Sequence, residues 1–163
     1  MAIDDLPLSV DHKCCWDRAD PPLDCKARGS IVQDAVEGIA QALSTFNETL
    51  ASEGQSPVAI GIGAHLGEVV LGEIGAAGAA PRTLIGDTVN TASRIEGVTK
   101  EHQVQALISA PLLEKAGMTL PESEFVSLQL RGLNVPLPAW PVKEASTLHK
   151  EMAAKNRTGV LAT

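Results

Sequence analysis

Residues 83–94 read Thr-Leu-Ile-Gly-Asp-Thr-Val-Asn-Thr-Ala-Ser-Arg, and that run allows few folds. A short apolar strand at Leu84 and Ile85 meets a single glycine, Gly86, with no room for a loop. Asp87 stands where a helix cap is wanted, and the helix it opens runs to about Gly97. Asn90 and Arg94 fall four residues apart, so both project from one face of that helix. An amide and a guanidinium on one face can hold a sugar oxygen and a phosphoryl oxygen together, which suits phosphoryl chemistry on a nucleotide.

The flanking segments supply the layers. Ser30 and Gln33 form an S-x-x-Q capping box. Val32, Val36, Ile39, Leu43, Phe46 and Leu50 then make one apolar stripe on a helix ending near Gly54. A coiled-coil seam would give the same stripe, but a core-facing helix is the simpler reading. Val58, Ile60, Ile62 and Ala64 alternate with Ala59, Gly61 and Gly63, which is a strand with room for a closely packed helix. Residues 68–74 read as the second strand of a hairpin with it, followed by a Gly/Ala loop over 75–81. A strand at 105–108 precedes a short helix capped by Ser109. A strand at 125–130, a turn at 131–134 and an edge-like strand at 137–142, interrupted by Pro138 and Pro141, complete the pattern. The irregular alternation predicts an α+β sandwich.

The chain has 163 residues, enough for one domain with tails. It is 44% hydrophobic with two Phe, two Trp and no Tyr, so its core must be aliphatic. A net charge of −7 argues against non-specific nucleic-acid binding but leaves a nucleotide substrate open. Cys14, Cys15 and Cys25 are odd in number and lack C-x-x-C spacing, which points to a reducing, cytoplasmic setting. A zinc site from these three and His12 lacks the usual ligand spacing. No apolar run approaches the roughly 20 residues of a membrane span, and no signal peptide is visible.

Residues 60–75, IGIGAHLGEVVLGEIG, resemble the "IGIGIHTGEVVVGNIG" segment of class III nucleotidyl (adenylate/guanylate) cyclase catalytic domains. Residues 83–97 resemble their "TVIGDTVNLAARLEG" segment, and 104–109 their "VPILIS" strand. Leu130-Arg131-Gly132-Leu133 stands where the family has "VKGK", followed by a last strand like Ala139-Trp140-Pro141-Val142. Order and spacing agree over about residues 30–143.

The resemblance implies a ferredoxin-like cyclase α/β sandwich. It implies conversion of ATP to 3′,5′-cyclic AMP and pyrophosphate, with two Mg or Mn ions at a head-to-tail interface with a second cyclase subunit. Asn90 then matches the asparagine that orients the ribose. Arg94 matches the arginine that neutralises charge on the α-phosphate. Thr83 matches the position that reads the purine edge and favours ATP over GTP. Arg131 stands at the lysine that binds the terminal phosphates. Each has a plainer reading: a solvated helix face for Asn90 and Arg94, an ordinary strand threonine for Thr83, and a surface turn residue for Arg131. His65 reads as structural, and Glu68 and Glu73 as exposed hairpin residues.

The family's two metal-binding aspartates, in "DIxGFT"-like and "GDxxMAxF"-like strands, have no counterpart in this sequence. Met1-Ala2-Ile3 resembles the "MAIF" after the second aspartate, so the chain is expected to begin inside a longer cyclase domain and to lack activity alone. The fold is then incomplete at its N-terminus. Residues 1–29 form an irregular segment, 30–143 a partial catalytic domain, and 144–163 a polar tail that frays or forms a loose helix. A non-catalytic pseudo-cyclase that pairs with an intact cyclase is the alternative.

Overall fold

The computed structural model describes residues 25–73 and 82–159. Helix α1 spans Cys25–Ser52. It starts earlier than the capping box implied, so Ser30 and Gln33 lie inside the helix and residues 25–29 are not irregular. Lys26, Ala27 and Arg28 favour helix, and the single Gly29 costs only about 1 kcal/mol. The remaining N-terminal expectations, including a zinc site using His12, Cys14 and Cys15, lie outside the described residues.

After α1 come strand β1 (Ile62–Ala64), strand β2 (Val70–Glu73), strand β3 (Arg82–Ile85) and helix α2 (Asp87–Gly97). Strand β4 (Ala106–Ser109) runs directly into helix α3 (Ala110–Lys115). Strands β5 (Val126–Leu128) and β6 (Leu137–Val142) precede helix α4 (Leu148–Gly159). Four strands form one sheet in the order β1-β4-β6-β5, with β1 parallel to β4 and the other pairs antiparallel. The remaining two, β2 and β3, form a separate antiparallel pair.

Successive strand residues point to opposite faces, and the two faces carry two cores. Ala106, Ile108, Trp140 and Val142 face Val36 and Ala40 of α1, Leu112 and Leu113 of α3, and Leu148. Leu107, Ala139 and Leu128 face Ile95 of α2 on the other side. The α+β sandwich expected from the sequence is therefore present, with α1, α3 and α4 over one face and α2 over the other. The α1 stripe divides: Val36 and Leu50 are buried, but Phe46 is 51% exposed.

Three local expectations need correction. The strand expected from Val58 begins only at Ile62, because Asn47 captures Val58 first. The Asn47 amide donates to the Val58 carbonyl at 2.9 Å, and the Val58 N–H donates to Asn47 Oδ1 at 2.8 Å. Strand β2 pairs with β3 rather than with β1. Strand β6 is interior, held between β4 and β5. Its prolines are tolerated because Pro138 faces the three-residue β5 and Pro141 lies beyond the stretch that β5 covers. Of the two forms expected for the segment after Glu144, the described part takes the helical one. A short 3₁₀ turn, Ala145–Thr147, leads into α4, and Ala145 and Leu148 are fully buried. The His149 N–H donates to the Glu37 carboxylate of α1, and Lys155 bridges Glu124 at 2.6 Å above the Trp140 ring.

Candidate functional site

Helix α2 carries Asn90 and Arg94, and its seat is built from glycines. Gly63 lies directly beneath it. A Cβ there would collide with the Ala92 carbonyl oxygen and the Glu96 backbone nitrogen. At Gly61 the same addition would strike the Thr99 hydroxyl. Gly63 in β1 and Gly61 just before it thus serve the close-packed helix that the sequence implied. Ile95 completes the contact from above, with no exposed surface.

The start of α2 is tied separately. Gly86, not Asp87, is the N-cap residue, with φ +153°, a region open essentially to glycine alone. Asp87 becomes the first helical residue and makes no capping hydrogen bond, though its charge suits the positive end of the helix. Thr88 Oγ1 donates to the Glu68 carbonyl at 2.6 Å, joining α2 to the β1–β2 connection.

Asn90 and Arg94 are both exposed, one helical turn apart. Arg131 is exposed in a turn between β5 and β6. The Leu133 N–H donates to the Leu130 carbonyl at 3.1 Å, and Gly132 has φ +85°, as the third position of a type II turn requires. The Arg94 guanidinium lies against this turn: a Cβ on Gly132 would stand 3.1 Å from Arg94 Nη1 and 3.7 Å from Cζ. The structure therefore brings Arg94 against the turn that holds Arg131, with 36 residues of chain between the two arginines and Gly132 at the contact. Among the described residues the one ion pair is Lys155 with Glu124, so no described carboxylate pairs with either arginine. Thr83 is elsewhere, on β3 opposite Gly72 in the two-stranded sheet, three residues before the Gly86 turn.

Two contributors were missed in the sequence, Gly132 and Thr88. An Arg-Gly pair inside a predicted turn was the available signal for Gly132. A threonine in the first turn of the helix was the signal for Thr88. The Nδ1 of His65 lies 2.9 Å from Ser109 Oγ. Partial burial holds the imidazole below its ordinary pKa.

The residues on this face do not fit the Mg or Mn ions of the family resemblance. They offer one amide and two guanidinium groups, which repel a divalent cation. Among the described residues no three His, Cys, Asp or Glu side chains gather into a metal-holding group. Nor is any described helix long and apolar enough to cross a membrane.

Residues 26–132 match the family model described as the adenylate and guanylate cyclase catalytic domain. An adenylate cyclase of Anabaena cylindrica is 32% identical over 129 residues, which is 74% of this chain and 24% of that protein. Adenylate cyclase 1 of Rhizobium meliloti (strain 1021) is 33% identical over 75 residues, 46% of this chain and 11% of its own length. The chain thus spans about a quarter or less of these two relatives. Among solved structures, the guanylyl cyclase Cya2 is 28% identical, with a TM-score of 0.61 over 76% of this chain and 61% of its own. The adenylyl cyclase CyaB from P. aeruginosa has a TM-score of 0.58 over 78% of this chain and 64% of its own, at 18% identity, a likeness of fold. A helix bearing Asn90 and Arg94, a glycine-built seat and a family match over more than half the residues lead to one assignment: this chain belongs to the adenylate and guanylate cyclase catalytic domain family.

Proposed function

We propose that this chain supplies the substrate-orienting half of an adenylate cyclase site, converting ATP to 3′,5′-cyclic AMP and pyrophosphate in combination with a second cyclase subunit. The observation that carries this reading is the Arg94 guanidinium of α2 lying against Gly132, in the turn where Arg131 is the neighbouring residue. Two cationic side chains and a neutral amide suit a nucleoside triphosphate.

In this reading Asn90 holds the ribose so that its 3′ oxygen faces the α-phosphorus. Arg94 meets the charge that builds on the α-phosphoryl oxygens, and Arg131 holds the terminal phosphates. Thr83 reads the purine edge. The preference for ATP is supported by Thr83 and by relatives named adenylate cyclases, against a structural neighbour named as a guanylyl cyclase. Catalysis in the family uses Mg or Mn, and a partner subunit is the source of the metal-binding carboxylates. Val70 (67% exposed), Leu84, Ile85 and Val89 form apolar surface on the β2–β3 pair and the start of α2, which supports association with that subunit. The chain alone is inactive.

The test is a cyclase assay with Mn²⁺ and ATP. The chain is assayed alone and mixed with a metal-competent subunit whose own arginine-bearing helix is disabled. Activity in the mixture alone, lost on Arg94→Ala or Arg131→Ala, supports the reading. Activity in the chain alone overturns the inactivity. A folded chain that stays silent in both favours the alternative, a pseudo-cyclase module.

A further inference from the structure

Ser109 occupies the N-cap position of α3 with extended backbone angles, φ −66° and ψ 144°, yet its side chain caps nothing. A serine there normally bonds a backbone N–H in the first turn, an interaction that stabilises a helix. Its hydroxyl is fully buried and lies 2.9 Å from His65 Nδ1 instead. The two residues are the next register pair beyond the parallel strands: Ala64 faces Ile108, and His65 follows the one as Ser109 follows the other. The hydroxyl has been given to the β1–β2 connection.

That connection leads straight to α2. Leu66 packs against the core under α1. Gly67 has its bare Cα against Thr88, whose hydroxyl a Cβ would strike. The Glu68 carbonyl accepts the Thr88 hydroxyl, and a Cβ on Gly86 would come within 3.1 Å of that same carbonyl oxygen. The Gly86 carbonyl in turn accepts the N–H groups of Val89 and Asn90 at 3.1 and 3.3 Å. A continuous run of close contacts therefore joins a buried serine on the sheet to the backbone of Asn90.

We propose that His65 is a positioning residue for the substrate-orienting helix: its bond to Ser109 fixes the β1–β2 connection, so that the Glu68 carbonyl holds Thr88 and sets the first turn of α2. The importance of this for substrate rests on the function proposed above, but the mechanical coupling does not. Hydrogen exchange on the chain without nucleotide therefore tests it separately.

The experiment measures amide exchange at Asn90 and Thr91, with Leu107 and Trp140 as references in the sheet. Removing one net hydrogen bond should raise exchange at the two α2 amides by about five-fold in His65→Leu, with the sheet amides unchanged. Thr88→Val should raise the same amides similarly without touching the His65–Ser109 pair. The double variant should be no faster than either single one, because both remove the same restraint. His65→Asn, which can place a polar atom near the position of Nδ1, should restore most of the protection and serves if His65→Leu does not fold. Unchanged exchange at Asn90 and Thr91 in His65→Leu would overturn the proposal. So would an equal rise in the sheet amides, a multiplicative double variant, or no rescue by asparagine.

Discussion

The guanidinium of Arg94 rests on the backbone of Gly132, with its Nη1 3.1 Å from the place where a side chain would begin. The helix and the turn that carry them share one core, where Ile95 of α2 packs with Leu130 at the start of the turn, and a Cβ on Gly132 would crowd the guanidinium. Gly132 is doubly constrained, because its φ of +85° is also unfavourable for any residue with a side chain.

Gly132→Val should therefore destabilise the chain by about 1–3 kcal/mol through backbone strain and crowding. It should also move Arg94. Asparagine tolerates the left-handed region better, so Gly132→Asn should recover much of the melting temperature while still displacing the guanidinium. Thermal denaturation together with ATP titration separates the two effects.

Gly63→Val should be more damaging to the placement of α2 than to the sheet. The added atoms would meet the Ala92 carbonyl and the Glu96 nitrogen, both backbone and unable to turn aside. A loss of about 3 kcal/mol in denaturant unfolding is expected, at the upper end for overpacking. A stability equal to that of the unmodified chain would mean that α2 is not held on β1.

His65 gives the fold a pH dependence of known sign. Burial lowers its pKa in the folded state below the ordinary value of about 6.5. The unfolded chain thus binds more protons between the two values, and stability rises with pH there. The contribution is complete above about pH 6.5 and is lost as the pH falls through the folded pKa. Urea midpoints compared at pH 7.5 and pH 5 should differ less in His65→Asn than in the unmodified chain.

Leu148→Ala tests whether α4 belongs to the folded unit. Leu148 is fully buried in the core with Val36, Trp140 and Val142. Its truncation should cost about 2–5 kcal/mol. A frayed, undocked segment would show almost none of that in a melting curve.

The strand, Gly86 and helix over 82–97 were legible because the chemistry is local: one residue type permits the turn and four-residue spacing sets the face. The glycines of β1 were legible for a similar reason, since bare positions on a strand invite a close neighbour. Long-range relations were not. Val58 looked like strand until Asn47 took its backbone groups, eleven residues away. Pro138 and Pro141 argued for an edge, yet β6 is interior because its neighbour β5 is too short to need the missing donors. Ser109 read as a cap because nothing local announces that His65 competes for its hydroxyl. Asn90 and Arg94 were singled out by their spacing on one helix face, and Thr83 and Arg131 by resemblance. That Arg94 lies against the turn holding Arg131 depends on how the sheet folds.

Strands β1 and β4 are parallel neighbours, and the chain between them includes β2, β3 and α2. Parallel neighbours cannot be joined by a tight hairpin and need a crossing segment, which here includes α2 itself. The helix that presents Asn90 and Arg94 is thus part of the bridge that lets the edge of the sheet close. Formation of the parallel pair waits on a long-range closure, the slow kind in folding kinetics. An evolving chain therefore has little freedom to discard this helix while keeping its sheet. The architecture would persist in a descendant that had given up the chemistry.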